Sequence, residues 1–517
     1  MIKRSAITSI RVVALPELLV LTPSLGLLQG CTDLTETPTS SIAPENFYKN
    51  QEEIIGGLAA VYAQLRQTTE AYYNLTEISS DEYIVPTRGT DWYDNGRWLE
   101  IDRQLWGANS PSGLDDVNSA WNALFTGVAR ANVAIEAVNK VEFADKPVVV
   151  AELRTLRAFY YLLIQDLFGG VPIVTDTEIK PRERNTRAEV FAFIETELNE
   201  TRTVLPATWS TENSGRLTRG AADAILASMY LNAQVYTGSV TTAGLQPGPA
   251  KWAEAVAASD RILNSGVYSL AANWRSNFTW DNYQSPEIIM AVKFLNASGL
   301  GLNFLMRALH YTQFTPSPWN GFATIAETYF AFDAADQRRE IFLEGQQFNL
   351  ETGAPVLDRT GNPLIFTPEI GDVTNAGEGA GIRITKWPVD PAHVNQDNGN
   401  DFAHFRLAEI MLIKAEALNE LGQTAQAVAL VNQVRARVFN PDKPISAGSQ
   451  AAFRTAILNE RLFELTAEAK RRQDLIRHGK YTAPWFNKQQ REAYRILLPI
   501  PQTQVETNPL LVQNAGY

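Results

Sequence analysis

The pattern that most limits what this chain can fold into is a pair of apolar stripes separated by one glycine. Ile410, Ile413, Ala417 and Leu421 recur at spacings of three and four, Gly422 follows, and Ala427, Val428, Val431, Val434 and Val438 begin a second stripe. That spacing gathers apolar side chains on one helix face, and the glycine stops the first helix. Two helices with so short a joint fold back on each other as antiparallel neighbours.

Other stripes behave alike. Leu153, Leu156, Tyr160, Leu163 and Leu167 form one, closed by Gly169-Gly170-Val171-Pro172, and Ile54, Leu58, Val61, Tyr62 and Leu65 form another. The run Ala253-Glu254-Ala255-Val256-Ala257 echoes Ala425-Gln426-Ala427-Val428-Ala429, each opening the second helix of a pair. Pairing 51–67 with 116–139, 149–168 with 187–204, 219–236 with the helix opened at 253, and 407–421 with its successor gives about four pairs. A small-residue helical hairpin of this kind is tetratricopeptide-like. The expected fold class is therefore mainly α, a tetratricopeptide-like scaffold of helical pairs built from residues 46–71, 107–267 and 403–480. Residues 72–106 and 268–402 are rich in Gly, Pro, Asn, Asp and aromatics, and predict an irregular, loop-rich subdomain. Irregular segments of that length inside a compact chain usually carry function.

The first residues do not belong to this pattern. Lys3, Arg4 and Arg11 precede an apolar stretch over 12–28, and then comes Leu28-Gln29-Gly30-Cys31. This is the layout of a secretory signal over 1–30, with Cys31 where a lipid would be attached. The stretch is too short, and too interrupted by Pro16-Glu17, to span the ~30 Å of a bilayer core. The polar segment 31–45 reads as a tether, and 46–517 as a single domain.

Composition removes several function classes. The chain has 45 basic and 57 acidic residues and a net charge of −12, which argues against nucleic-acid binding. Cys31 is the lone cysteine, so an intramolecular disulfide and a cysteine-rich metal site are impossible. His310, His393, His404 and His478 never fall three to five apart, so no HExxH-type site exists. Asn375-Ala376-Gly377-Glu378-Gly379-Ala380-Gly381 lacks the Lys-Ser/Thr of a phosphate loop and reads as a mobile surface loop. Asp397-Asn398-Gly399-Asn400-Asp401 offers oxygens but not the spacing of a calcium loop, and reads as a turn. The charged stretch 457–477 reads as a helix carrying a structural ion network, with Glu468 and Arg472 as i,i+4 partners. No metal and no cofactor is expected.

Several ordered pieces then resemble the SusD/RagB family of outer-membrane nutrient-binding lipoproteins. They are the opening Cys31-Thr32-Asp33-Leu34 with Phe47 and Ala60-Val61-Tyr62, and the helix from Arg406-Leu407-Ala408-Glu409 to Ala417. They continue with Asn459-Glu460-Arg461 through Arg472-Gln473-Asp474-Leu475-Ile476-Arg477, then Leu498-Pro499-Ile500-Pro501, Asn508-Pro509 and Asn514-Ala515-Gly516-Tyr517. Ala469 stands where the family more usually has glycine, and Ala515 where it has proline. The resemblance implies a helical scaffold with an irregular ligand-facing part on a surface-exposed, lipid-anchored, non-enzymatic protein. It would cap a SusC-like TonB-dependent transporter and deliver oligosaccharides, or in some members peptides. A secreted glycosidase and a periplasmic tetratricopeptide scaffold remain as other classes.

The ligand site is expected where aromatic residues concentrate. Of 28 Trp and Tyr residues, seven lie in 72–106, where even spacing would give about two, and seven more in 268–329. Flat rings stack on sugar faces, and neighbouring amides and carboxylates bond hydroxyls. Equally, buried rings staple loops to a scaffold. The segment from Asp91 to Trp98 resembles one shared by part of the family, which favours a structural role for some of its rings. The candidate ligand-binding residues are Trp92, Tyr93, Asp94, Asn95 and Trp98 from the first segment, with Trp319 and Asn320 from the second. The fallback location is around Trp274, Trp280 and Tyr283.

Overall fold

A computed structural model describes residues 48–517; the signal segment, Cys31 and the whole tether lie outside the described residues. The main helices are α1 (Gln51–Gln64), α2 (Ala71–Glu77), α3 (Asn118–Asn139), α4 (Lys146–Phe168), α5 (Arg187–Thr201), α6 (Arg219–Leu231), α7 (Trp252–Leu263), α8 (Leu407–Glu420), α9 (Thr424–Ala436), α10 (Gln450–Leu465) and α11 (Arg471–Arg477). Local chemistry sets their ends. The Asn50 side chain accepts from the Glu53 amide at α1, and Thr186 and Glu189 form a reciprocal capping box at α5. Pro147 sits in the first turn of α4, and Gly169, at φ 78°, follows its last residue.

The helices pack as the stripes require: α1 on α3, α4 on α5, α6 on α7 and α8 on α9, with α3 against α4 and α7 against α8 linking the pairs. Helix α8 is buried almost all round, and its Met411, Leu412, Ala415 and Leu418 meet Val431, Val434 and Ile457. Gly127 of α3 lies against the Tyr160 ring of α4, where a Cβ would come within 2.6 Å, so only glycine permits this approach. Strands are few and short. The longest pair joins β1 (Ile288–Val292) to β2 (Phe402–Arg406), antiparallel, with Ile288 opposite Arg406, Val292 opposite Phe402 and a shifted register on either side of Met290.

The stretch 457–477 departs from the expected continuous helix. Helix α10 ends at Leu465, Ala467 and Ala469 adopt φ of 67° and 58°, and α11 resumes at Arg471. Glu468 and Arg472 therefore do not share a helix face. Glu468 instead meets Lys386 and, at 2.8 Å, Arg406, while Arg472 reaches Asp166 at 2.8 Å. The ion network itself is extensive and buried. Arg406 also bonds Glu287 (2.9 Å) and Glu464, and Arg338 bonds Asp336, Glu460 and Glu464 at 2.7 to 2.9 Å. These bonds tie the helical scaffold to the irregular segment between Glu287 and Lys386.

Candidate functional site

The loop after residue 88 is built on a tight turn in which Arg88 and Asp91 exchange backbone hydrogen bonds. Trp92, Asp94 and Asn95 then take φ of 61°, 39° and 57°, and Gly96 leads into a short helix, Arg97–Asp102. Asparagine tolerates this region, but a tryptophan stays there only when its surroundings hold it. Here they do. The Trp92 indole N–H donates to the Trp319 carbonyl at 2.5 Å, and its ring lies edge-on to Trp98 (5.2 Å) and Phe322 (5.8 Å). It also covers Gly321, where a Cβ would come within 2.3 Å of the ring. The two aromatic-rich segments thus meet through Trp92.

The opposite side is held by buried guanidiniums. The amides of Trp319, Asn320 and Phe322 donate to Met306, Leu309 and Arg307 carbonyls. Arg88 Nε donates to the Asn320 carbonyl (2.9 Å) and Arg383 Nη2 to Asn320 Oδ1 (2.8 Å). The same two side chains bond the Gly377, Glu378, Ala380 and Gly381 carbonyls. Burial pushes Arg88 down to about 10 and Arg383 well below the usual arginine range. The glycine-rich segment 375–381, expected as a mobile surface loop, is therefore stapled beneath Asn320.

The predicted residues separate accordingly. Tyr93 is 58% exposed, Trp319 is 36% exposed, Asp94 and Asn95 are exposed, and Trp92 is half-buried. Trp98 is buried and donates its indole N–H to Asp94 Oδ2 at 2.6 Å. Asn320 is fully buried, and its amide group is consumed by Arg383 and the Glu378 carbonyl. Trp98 and Asn320 are thus buried and hydrogen-bonded inside the protein, whereas the other predicted residues reach solvent. Of the fallback set, Trp274 is buried and bonded to Glu464, whereas Trp280 and Tyr283 are exposed. In the turn at 397–401, Asp397 accepts from the Gly299 and Gly301 amides, and Asp401 accepts from the Phe294 amide and pairs with Lys293.

Sequence reasoning missed four polar neighbours. The Tyr311 hydroxyl donates to Asp91 Oδ2, the Arg359 guanidinium lies 4.6 Å over the Tyr311 ring, and Arg359 pairs with Glu378, which also meets His310 at 2.8 Å. Tyr311 belonged to the aromatic excess, Asp91 opened the family-like segment and Glu378 lay in the glycine-rich one, but none was marked as a site residue, and nothing in the sequence singled out Arg359. Burial pushes the Glu378 carboxyl up, but the Arg359 and His310 hydrogen bonds outweigh it and leave the group below its ordinary value. The result is an exposed aromatic surface beside fixed donors and acceptors, suited to stacking and hydrogen bonding. Among the described residues no cluster of three or more His, Cys, Asp or Glu is placed to hold a metal, and no helix is long and apolar enough to cross a membrane.

Residues 223–517 match the model of the SusD family, and residues 38–231 match a family described as starch-binding associating with outer membrane. A SusD-like protein, P38, of Formosa agariphila is 27% identical, over 96% of this chain and 97% of its own length. A SusD-like protein of Bacteroides fragilis superposes with a TM-score of 0.74 at 20% identity, covering 93% of this chain and all of that one. A laminarin-binding SusD-like protein gives 0.71 at 25% identity, covering 91% and 100%.

Proposed function

Because the chain belongs to the SusD family, we propose that it is a glycan-binding lipoprotein of the outer membrane that captures oligosaccharides and passes them to a SusC-like TonB-dependent transporter. In this reading residues 1–30 are the removed signal, Cys31 carries the lipid, 31–45 is the tether, and the remainder is one domain displayed at the cell surface. The starch-binding description of the second family model and the laminarin-binding relative support a glycan as the cargo.

The observation that carries the reading is the lock between Trp92 and the Trp319 carbonyl, which leaves the Tyr93 and Trp319 rings exposed beside Asp91, Asp94, Asn95 and Arg359. The test is a comparison of melting and glycan affinity across three variants. Trp319→Ala and Tyr93→Ala should bind at least tenfold more weakly while melting near the parent. Trp98→Ala, which empties a buried site, should cost ~3–5 kcal/mol of stability. Unchanged affinity in both exposed-ring variants would remove the site from this surface. Reducing-sugar release by the purified protein would replace binding with hydrolysis.

A further inference from the structure

A second recess lies apart from the Trp92 loop. It encloses ≈ 410 Å³ between the segment 207–218, Val267 and Tyr268, residues 283–285, Lys293, Asp401 and the first four residues of β1. We propose that this recess is a second saccharide subsite, for a neutral oligosaccharide; the proposal rests on the glycan reading above.

Its chemistry selects among ligand classes. The charged side chains on its lining are Arg216, Lys293 and Asp401. Arg216 donates to the buried Glu152 carboxylate from Nε (3.1 Å) and Nη2, and Lys293 pairs with Asp401. With both cations matched, the wall presents little net charge to an anion. What it does present is hydroxyls, from Thr208, Ser210, Thr211, Ser214 and Ser285, together with the rings of Trp209, Tyr268 and Tyr283. Aromatic faces among many short hydroxyl side chains suit a polyhydroxylated, uncharged ligand better than an ionic or purely apolar one.

The recess is also preformed. The Trp209 indole N–H donates to the Leu217 carbonyl at 2.9 Å, and the Arg216 guanidinium lies 3.9 Å over its ring. Gly215, at φ 92°, rests on the stem of Lys293, where a Cβ would come within 2.7 Å of Cδ. The Tyr268 and Thr218 hydroxyls are 2.8 Å apart. Tyr283 alone among the rings stands well into solvent, 53% exposed, with the Lys293 ammonium 5.2 Å from its centroid. A ring fixed by its neighbours loses little freedom when a ligand stacks on it.

The experiment uses the whole mature chain in affinity gels containing laminarin, starch, xylan or mannan. The parent is compared with a Tyr93→Ala, Trp319→Ala double variant, and with that background carrying Tyr283→Ala or Ser214→Trp, the latter chosen to fill the recess from an exposed position. Retardation that persists in the double variant, and falls at least fivefold on adding either recess change, is the expected result. Retardation abolished by the double variant alone would overturn the second subsite while leaving the proposed function standing. A parent chain retarded by none of the four polysaccharides would overturn both.

Discussion

Glu77 and Glu82 give the sharpest test of how this fold handles buried charge. Both are buried, and each accepts a backbone amide from the turn between α10 and α11, Glu77 from Ala469 at 2.5 Å and Glu82 from Ala467 at 2.8 Å. Glu77 Oε2 meets no donor among the described residues, and the carboxyl that adjoins Glu77 is Glu82. Burial pushes Glu77 up to about 7 and Glu82 well above its ordinary value, so the pair retains a proton that the unfolded chain releases. A raised carboxyl contributes stability that is complete below about pH 4.5 and is lost as pH rises through about 7. A displacement of roughly 2.5 units corresponds to about 3 kcal/mol. Glu82→Gln replaces the shared proton permanently: its amide nitrogen can donate to Glu77 Oε2, and its oxygen still accepts from Ala467. The variant should match the parent near pH 4.5 and exceed it by up to about 3 kcal/mol at pH 8. With unfolding entropy near 2 cal/mol/K per residue, that is about 3 °C in a chain this long. Melting curves at pH 4.5, 6, 7 and 8 measure it. An unaltered pH slope, or a variant that melts early at every pH, would refute the shared proton.

Other outcomes follow from the same contacts. Gly321→Ala should push the Trp92 ring off the Trp319 carbonyl, costing ~1–3 kcal/mol by overpacking and weakening glycan binding, measured by melting and affinity electrophoresis. Arg406→Leu removes the one cation that Glu287, Glu464 and Glu468 share in the buried network and should destabilise by ~3–5 kcal/mol, read from urea unfolding. Cys31→Ser should release the protein from the membrane fraction or stall its processing; unchanged lipid labelling of that variant would rule out Cys31 as the anchor.

The helical pairs were legible because each buries one stripe, and a stripe at 3.6-residue period is written locally. The break after α10 was not. Ala467 and Ala469 take positive φ in a turn whose amides reach Glu82 and Glu77, nearly four hundred residues away in the chain. Aromatic excess singled out two segments that Trp92 joins in the fold, but it did not separate exposed rings from buried ones. Asn320 stands beside Trp319 in the sequence with the look of a sugar-binding amide. Its hydrogen bonds are taken by Arg383 and a carbonyl of the glycine-rich loop, which only the folded chain brings together.

Taken with its supports, the strained Trp92 backbone has a physical consequence. Trp92 occupies a backbone conformation that costs of order 1–3 kcal/mol and persists only where neighbours over-determine it. Those neighbours are Gly321 and the edge-on rings of Trp98 and Phe322, backed by two buried arginines on Asn320, so the strain is met by the scaffold and not by the ligand. A saccharide then meets rings already held in place, and little ordering entropy is charged to binding. Substitutions in the supports should therefore loosen the surface before they unfold the protein. Affinity lost that way would come largely as faster dissociation, as it does among variants of one interface.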